Sequence, residues 1–521
     1  MANMNERAEL HKTIWKIAND LRGSVDGWEF KAYVLGSIFY RYISENIANY
    51  LNRLQHQSGD LDFEYADLPD EEAEEAREMV VEEKGYFILP SQLFCNVVKE
   101  CKAGNIDKLN ERLSNIFIAI ETSAQGQPSE QDLKGLFSDF TVESNSLGKT
   151  LSKRNELLSK VLTSVNTMKL ADDYEDNNID AFGDAYEFLM QMYAANAGKS
   201  GGEFFTPQAV SELLAMIASE GNSNIKSVYD PCCGSGSLLL KFAKTIGKEN
   251  PNLMYYGQEI NPSTYNLCRI NMFLHGINFS NFDIALGDTL KYPQHRDLEP
   301  FDAIVSNPPY SITWAGDEDT VLAGDDRFTP AGVLAPKSKA DLAFTMHMLK
   351  ALSETGTAAI VEFPGVLYRG GAEQRIRKYL IANNYVDTVI QLPQNLFFGV
   401  GIATCIIVLK KSAKRDNNVL FIDASNMFQK NGNKNYLLKE HQERILSLYT
   451  KREDEQYVCR LVKNSDILSN DFNLSVSSYV EQEDTREVIN IEEVNAKLET
   501  LIAEGNELNK KIESIIKELG E

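Results

Sequence analysis

The stretch IKSVYDPCCGSGSLLLKFA, residues 225–243, decides the fold that the sequence predicts. It begins as a short apolar strand that stops at Asp230-Pro231, since proline cannot donate a hydrogen bond to a sheet. Gly234-Ser235-Gly236 then allows a sharp turn and a close approach of the backbone to a ligand, and a helix follows from Ser237. Taken alone, such a loop is most simply a structural turn, because many turns contain Gly-x-Gly.

Strands and helices alternate regularly around this stretch, from about residue 166 to about residue 415. The segments with strand character are SVYD, MYYGQEI, FDIALGD, FDAIVSN, GTAAIVEF, YVDTVIQL and CIIVLKK. Several of them are followed by helical periodicity, which is typical of a Rossmann-like, doubly wound α/β sheet. The short links between the late strands predict an antiparallel pair near one edge.

Three acidic residues follow successive strands and favour a nucleoside pocket over a plain turn. Asp230 ends the first strand, Glu259 ends the next, and Asp288 lies one strand further on. Glu259 suits the two hydroxyls of a ribose, and Asp288 suits an adenine amino group. A pyrophosphate cofactor would prefer donors and positive charge, whereas a sulfonium prefers carboxylates. S-adenosyl-L-methionine therefore fits these residues better than NAD.

The segment GKSGGEFFTPQ, residues 198–208, precedes a predicted helix. Thr206-Pro207 has a structural explanation, because a cap residue followed by proline is a common helix start. The glycines before it and the exposed pair Phe204-Phe205 are harder to explain in that way. We expect this segment to be a loop that closes over the methionine end of the cofactor.

The stretch FDAIVSNPPYSITW, residues 301–314, ends a buried strand in Asn307-Pro308-Pro309-Tyr310. The residue before a proline is extended, so Asn307 should present a free amide oxygen beside the Pro308 carbonyl. Two rigid acceptors of this kind can bind both hydrogens of one exocyclic amino group and favour charge developing on its nitrogen. Tyr310 could stack on the base, and no strong general base is needed. A Pro-Pro turn without function is the alternative.

A base inside a duplex is out of reach of such a site, so the target must be flipped out. Phe397-Phe398 could form a second aromatic wall, although two core phenylalanines before a strand are at least as good an explanation.

The rest of the chain has a different character. Residues 1–165 show helical periodicity, with Leu10, Ile14, Ile17 and Leu21 on one face.

The tail, residues 487–521, has a heptad pattern that predicts a coiled-coil contact with another chain or segment. The alternative is a helix packed on its own domain. The apolar positions, with Gly505 as the one weak point, are Ile491, Val494, Leu498, Leu501, Gly505, Leu508, Ile512, Ile515 and Leu519.

Composition restricts the class of protein. The chain of 521 residues has room for two or three domains, and 43% hydrophobic residues with 25% charged residues are globular values. The first ten residues lack the apolar core of a signal peptide, no apolar run is long enough for a membrane span, and the seven cysteines form no CxxC pair. We therefore expect a cytoplasmic protein with no membrane association and no metal site. A net charge of −24 repels DNA, so a DNA substrate would require a partner or a local basic surface.

The motifs together resemble the modification (methyltransferase) subunits of type I restriction–modification systems over essentially the whole chain. The matching stretches are IWKIANDLRGSVDGWEFKAYVLGSIFYRYISEN, NAGKSGGEFFTPQ, DPCCGSGSLL, GQEIN, FDAIVSNPPYS, GVLAPKSKADLAF, FPGVLYRGGAEQRIRKYL and LPQNLFFGVGIATCI. One small departure is Cys232-Cys233, where relatives often have alanine in one or both places. Cysteine packs as a small hydrophobe, so the loop should keep its shape.

The resemblance implies a site-specific DNA adenine-N6 methyltransferase that uses S-adenosyl-L-methionine. It implies double-stranded DNA, a separate specificity subunit that selects the target, a restriction subunit, and two copies of this chain per specificity subunit. It further implies the roles of the site residues. Those expected at the cofactor, from the resemblance or from the strand pattern above, are Glu203, Phe204, Phe205, Thr206, Pro207, Gln208, Asp230, Gly234, Ser235, Gly236, Ser237, Glu259 and Asp288. Those expected at the adenine are Asn307, Pro308, Pro309 and Tyr310.

The expected organisation is an N-terminal helical domain at 1–165, a methyltransferase domain at 166–480 and a C-terminal heptad helix for assembly at 481–521.

Three other functions are compatible with single motifs. Asn-Pro-Pro-Tyr also occurs in enzymes that resemble release-factor glutamine methyltransferases, where the planar amine is an amide. A self-sufficient adenine methyltransferase would need a recognition domain, and none is visible between about 411 and 521. A catalytically inactive assembly protein is disfavoured because Asn307 and Glu259 are both present.

Overall fold

The computed structural model of the chain describes residues 11–15, 17, 27–168, 188–189, 206–222, 224–247, 250–397, 401–414, 416–432, 434–482 and 490–520. The chain forms two compact units, residues 1–480 and residues 481–521. The larger unit contains a helical part and a mixed α/β part. None of the helices in the described ranges combines the length and the hydropathy that a membrane crossing requires.

The N-terminal part is helical. Its longer helices are α1 (Gly27–Ser58), α2 (Arg77–Lys84), α3 (Phe94–Lys102), α4 (Leu109–Thr122) and α5 (Leu151–Val165), with one-turn helices at Asp70–Ala73 and Glu130–Leu133. Most residues of α1 from Tyr33 to Ser44 are buried, so this helix forms the centre of the helical part. Ile14 and Ile17 of the predicted amphipathic face are buried. Leu10 and Leu21 lie outside the described residues.

The α/β part is built on one mixed sheet of nine strands in the order β11-β8-β6-β7-β5-β4-β1-β2-β3. The strands are β1 (Ser227–Asp230), β2 (Met254–Glu259), β3 (Phe282–Leu286), β4 (Phe301–Ser306), β5 (Leu352–Glu362), β6 (Val386–Gln391), β7 (Cys405–Lys410), β8 (Asn418–Asp423) and β11 (Cys459–Lys463), and the hairpin β9 (Gln429–Asn431) and β10 (Lys434–Tyr436) is separate. The helices are α6 (Gln208–Ser219), α7 (Ser237–Phe242), α8 (Pro262–Leu274), α9 (Asp341–Ala351), α10 (Ala372–Ala382), α11 (Lys439–Lys451) and α12 (Asn464–Ser469), with a one-turn helix at Thr320–Ala323 and a π-helical turn at Ala243–Gly247.

Side chains of the central strands alternate between two cores, one on each face of the sheet. In β4, Ala303 and Val305 pack in the core shared with the helical part, whereas Ile304 packs on the opposite side. Both faces of the sheet are covered, which is why the strands are continuous apolar runs in the sequence. The α/β class with a helical N-terminal part is thus confirmed.

Each of the seven predicted strands coincides with an observed strand, but the position of the antiparallel pair was predicted wrongly. Strand β7 is antiparallel to both β5 and β6 and lies between them, well inside the sheet. Two strands that the sequence pattern did not reveal extend the sheet beyond β6. Strand β8 pairs parallel with β6, and β11 pairs antiparallel with β8 and forms the edge.

The smaller unit is one long helix, α13 (Ile491–Leu519), whose first turn is capped by the side chain of Asn490. The heptad pattern correctly predicted a helix. All its large apolar side chains are exposed, Leu498 at 55% and Leu501 at 63% among them. The described residues of this unit therefore do not cover the apolar stripe, and a coiled-coil contact stays a prediction.

Candidate active site at the carboxyl ends of the parallel strands

The candidate site lies where five parallel strands, β5-β4-β1-β2-β3, end at one edge of the sheet. The chain runs outward in opposite directions from the junction of β4 and β1, which makes this junction a topological switch point, where open α/β sheets bind ligands. Asp230 ends β1, and Asn307 follows the last residue of β4. The Ser306 hydroxyl donates to Asp230 Oδ1 across the junction (2.7 Å).

Asp230 is fully buried at the start of the glycine loop, residues 230–237. Its Oδ1 also accepts from the backbone N–H of Cys232 (3.0 Å), while its Oδ2 is buried and has no hydrogen-bond partner among the residues that the structure describes. Burial raises the pKa of Asp230 to about 7. A buried carboxyl oxygen without a partner suits a ligand that carries a donor or a positive charge.

The glycine loop is shaped by two left-handed residues, Gly234 (φ 54°) and Gly236 (φ 82°), before helix α7 begins at Ser237. A side chain at Gly236 would come within 2.8 Å of the Cys268 sulfur on helix α8. Glycine is thus required at Gly236 both by the backbone and by close packing of the loop on α8. The Ser235 carbonyl accepts from the Asn271 side chain on the same helix (2.9 Å).

Glu259 links the glycine loop to the start of helix α8. Its two carboxylate oxygens accept from the backbone N–H groups of Gly234 (3.0 Å) and Asn261 (2.8 Å). Burial raises the pKa of Glu259 above its ordinary value. Each carboxylate oxygen has a further lone pair, so this residue can still accept from two hydroxyl groups.

Asp288 lies two residues beyond the end of β3 and is half-buried. Its Oδ1 accepts from the backbone N–H groups of Leu290 (2.9 Å) and Lys291 (3.2 Å), which closes a tight turn. The buried Arg327 fixes the same turn by donating to the carbonyls of Thr289 (3.0 Å) and Leu290 (2.6 Å). Sequence analysis missed Arg327, because an arginine in a long loop after β4 carries no local signal of burial.

The Asn307 amide is held at both of its polar atoms. Its Nδ2 donates to the Thr206 hydroxyl (3.0 Å), and its Oδ1 accepts from the Tyr310 hydroxyl (2.5 Å). The expectation of a free amide oxygen was therefore wrong for one of its two lone pairs. The physical reason is that Tyr310 lies largely within the protein, where its hydroxyl needs a partner, and burial raises its pKa well above the ordinary value.

The segment before helix α6 thus meets the Asn-Pro-Pro-Tyr loop. Helix α6 begins at Gln208 with Pro207 at the capping position and no side-chain cap, so the alternative explanation of Thr206 as a helix cap is not observed. Thr206 is buried, and its hydroxyl contacts Asn307 instead. The predicted residues Glu203, Phe204 and Phe205 lie outside the described residues.

Two further carboxyls lie near Tyr310 of the Asn-Pro-Pro-Tyr loop, and the sequence analysis did not single them out. Asp341, at the start of α9, accepts from the backbone N–H of Ser311 (3.0 Å), which has a left-handed conformation (φ 52°). Glu362 ends β5, the neighbour of β4, and accepts from the Thr345 hydroxyl (2.7 Å). Asp341 could have been noticed in the sequence KSKADLAF, because it begins a helix just after a basic loop.

Phe397 is a buried core residue, and Phe398 lies outside the described residues.

The fold and the site define a class. A sheet with a glycine-rich turn after β1, acids that end β1 and β2 and follow β3, and Asn-Pro-Pro-Tyr after β4 is that of a Rossmann-like, S-adenosylmethionine-dependent methyltransferase. Sequence profiles agree with this class: the N-6 DNA Methylase family matches residues 177–488, and the HsdM N-terminal domain matches residues 10–165.

Individual relatives place the chain more narrowly. It is 48% identical to the type I restriction enzyme MpnII methylase subunit of Mycoplasma pneumoniae, covering 99% of this chain and 97% of that protein. The crystal structure of a type I restriction-modification methyltransferase subunit from Streptococcus thermophilus is 36% identical, with a TM-score of 0.81 over 91% of this chain and 100% of that chain. A chain of another type I system shares the fold at 19% identity, with a TM-score of 0.64 over 98% of this chain and 99% of that chain. This chain belongs to the N-6 DNA methylase family, as a type I restriction–modification methyltransferase subunit.

Proposed function

We propose that this chain transfers the methyl group of S-adenosyl-L-methionine to N6 of an adenine flipped out of double-stranded DNA, at a target chosen by a separate specificity subunit. The observation that carries the proposal is the Asn307 amide, oriented by Thr206 and Tyr310 at the carboxyl end of β4. It lies next to the strand whose end holds Asp230 and the glycine loop.

The residues at the switch point fit S-adenosylmethionine. We assign the cofactor to Thr206, Pro207, Gln208, Asp230, Gly234, Ser235, Gly236, Ser237, Glu259 and Asp288, with Glu203, Phe204 and Phe205 as a prediction from the sequence alone. Oδ2 of buried Asp230, which meets no donor in the described part of the chain, can accept from a cationic ligand, and Glu259 can accept from ribose hydroxyls. Bound there, the cofactor would supply an electrophilic methyl group.

The residues that follow β4 fit the amino group of adenine. The amide orientation set by Thr206 and Tyr310 leaves one lone pair of Asn307 Oδ1 for a hydrogen of the amino group. Pro308 adds a carbonyl acceptor from a residue that has no N–H. Hydrogen bonds to both hydrogens favour positive charge on N6 as its bond to carbon forms. The methylated nitrogen then loses a proton readily, so no strong general base is required.

The proposed partners follow from charge and from the relatives. A chain with a net charge of −24 does not bind DNA well unaided, so a specificity subunit should supply most of the DNA contact. The relatives named above are subunits of type I systems. We propose a complex of two copies of this chain with one specificity subunit, which a restriction subunit joins. We also propose functional boundaries at 1–165, 166–480 and 481–521, the last part serving assembly.

Methyl transfer from labelled S-adenosylmethionine to unmodified DNA, followed by nucleoside analysis, tests the proposal. The chain should be assayed alone and with the specificity subunit of its own system. We expect N6-methyladenine only when both are present. N6-methyladenine from the chain alone would overturn the role of the specificity subunit. The absence of DNA methylation in both reactions would overturn adenine as the substrate.

A further inference from the structure

Helix α8 (Pro262–Leu274) is buried on both sides, which is unusual for a helix that covers a sheet. Three of its polar side chains, Asn266, Arg269 and Asn271, are also buried, with Arg269 only 1% exposed. Buried polar groups need partners, so the partners show what each face of α8 holds. They belong to two different parts of the molecule.

One face of α8 holds the glycine loop, residues 230–237, which is the cofactor loop of the proposed function. Asn271 donates to the Ser235 carbonyl, and the Cys268 sulfur lies where only a glycine fits at Gly236. The N-terminal end of the helix is joined to the same loop through Glu259, which accepts from both Asn261 and Gly234. A shift of α8 would therefore move the loop and the proposed ribose acceptor together.

The opposite face of α8 is fixed to the helical part of the chain. Ser263 donates to Asp139 (3.0 Å), and Asn266 donates to Ser138 (2.8 Å). Arg269 Nη1 lies within hydrogen-bond distance of three backbone carbonyls, those of Gln131 (2.8 Å), Asp132 (3.1 Å) and Lys134 (3.0 Å). A cation suits this place, because Glu130–Leu133 is a helical turn whose last carbonyls are unpaired within the turn.

The two sets of contacts lie about half a turn apart on the helix. At about 100° per residue, Ser263, Asn266 and Arg269 point to one side, and Cys268, Asn271 and Met272 point to the other. The ring of Phe273 adds contacts with Phe39 (6.1 Å between centroids) and Tyr86 (6.3 Å) on the side of the helical part. Helix α8 is therefore a single rigid element between the cofactor loop and residues 131–141.

We infer that Arg269 is a positioning residue for the cofactor site, and that cofactor binding is coupled through α8 to the seating of residues 131–141 of the helical part. This inference rests on the proposed use of S-adenosylmethionine. Arg269 does not touch the loop itself, so its effect must pass through the helix. Coupling of this kind is reciprocal: the cofactor stabilises the contact as much as the contact favours the cofactor.

The first test is the dissociation constant of S-adenosylmethionine, measured by calorimetry on the full chain. In Arg269→Met we expect the dissociation constant to rise about tenfold. Arg269→Lys keeps the charge but not the fork of donors, so its dissociation constant should lie between those of the unmodified chain and Arg269→Met. The matched control is Arg377→Met. Arg377 is another buried arginine that donates to two carbonyls, those of Val366 and Phe472, away from the cofactor loop. Arg377→Met should be less stable than the unmodified chain but bind S-adenosylmethionine with the same affinity.

The second test needs no variant and so does not depend on how well the variants fold. Hydrogen exchange of the amides of residues 131–141 should slow when S-adenosylmethionine saturates the unmodified chain, while exchange in α10 should not change. If the unmodified chain binds the cofactor without slowing these amides, the coupling is refuted. If the unmodified chain does not bind the cofactor at all, the proposed function fails instead.

Discussion

At the scale of single residues, the site depends on side chains that hold one another. Asn307 is oriented by Thr206 and Tyr310, and Asp230 is joined to the next strand by Ser306. The sequence pattern placed Asn307 and Asp230 at strand ends, but it could not show that their polar atoms are partly occupied by neighbours. An amide held at both polar atoms loses little entropy when a substrate arrives, which favours catalysis.

Replacement of Asn307 by alanine should abolish methyl transfer, lowering it by at least about a hundredfold, because the oriented acceptor for the amino group is lost. The dissociation constant of S-adenosylmethionine should stay unchanged, since Asn307 is assigned to the base. Transfer is measured in the reconstituted complex, and cofactor binding by calorimetry. Asn383→Ala, an exposed asparagine at the end of α10, is the control. A parallel loss of cofactor binding would mean that the adenine site is misassigned.

Glu362 should make the stability of the chain depend on pH. Burial raises its pKa to about 8, well above the ordinary value, and its Oε2 has no hydrogen-bond partner in the described ranges of the chain. The pKa of Glu362 is raised only in the folded state. The contribution of Glu362 to the free energy of unfolding is therefore complete below the ordinary pKa, and it is lost as the pH rises towards 8. Glu362→Gln, which stays neutral, should avoid this loss.

The melting temperatures of the unmodified chain and of Glu362→Gln, compared at pH 5 and pH 8.5, test this. We expect the free energy of unfolding of the variant, relative to that of the unmodified chain, to increase by at least about 1 kcal/mol from pH 5 to pH 8.5. Glu354→Gln, on the same strand but exposed, should show no such trend. An equal difference at both pH values would show that Glu362 is ionised in the folded chain.

At the scale of elements, two helices depart from the simple amphipathic pattern in opposite ways. Helix α8 is buried on both faces because it lies between the sheet and the helical part. Helix α13 has no buried side chain among its 29 residues. Local periodicity predicts a helix in both cases. What covers each face depends on parts of the chain, or on other chains, that the local pattern does not specify.

Gly505 is the weakest point of α13. A Cβ at this position would meet nothing within 4 Å, so alanine fits the helix without strain. Gly505→Ala should stabilise the helix by about 1 kcal/mol, because glycine loses more backbone entropy than alanine. Hydrogen exchange of the amides around 505 in the full chain should slow accordingly. Exchange that is unchanged would mean that another contact already holds this segment.

At the scale of the whole molecule, the helical and α/β parts form one unit. The contacts across them include Arg269 with residues 131–134 and the Ser263–Asp139 pair. The C-terminal helix forms a unit of its own. The heptad pattern and the exposed apolar side chains of α13 support a role in assembly with another subunit.

Truncation after residue 485 should weaken assembly with the specificity subunit more than cofactor binding. The reason is that the removed part contains the exposed apolar stripe of α13, while the proposed cofactor residues all lie in the larger unit. Sedimentation of the mixed subunits measures assembly, and calorimetry measures cofactor affinity. If the truncated chain assembles normally, the helix has a role other than assembly.

The sequence by itself determined the α/β class, the seven strands of the sheet core, the helical N-terminal part and the tail helix. It could do so because strand alternation, glycine turns and prolines act through local backbone geometry. It also brought Asp230, Glu259 and Asn307 to one edge, since the carboxyl ends of parallel strands coincide. The division at 165 and 480, and the roles of the site residues, stay predictions.

Only the tertiary structure decided the position of β7 inside the sheet and the outer strands β8 and β11, because pairing order depends on contacts between distant segments. It also decided that Thr206 meets Asn307, that Arg327 fixes the turn at Asp288, and that Arg269 joins the helical part to α8. Each of these is a polar side chain satisfied by a group far away in the sequence. Burial creates the need for such partners, and burial exists only in the folded chain.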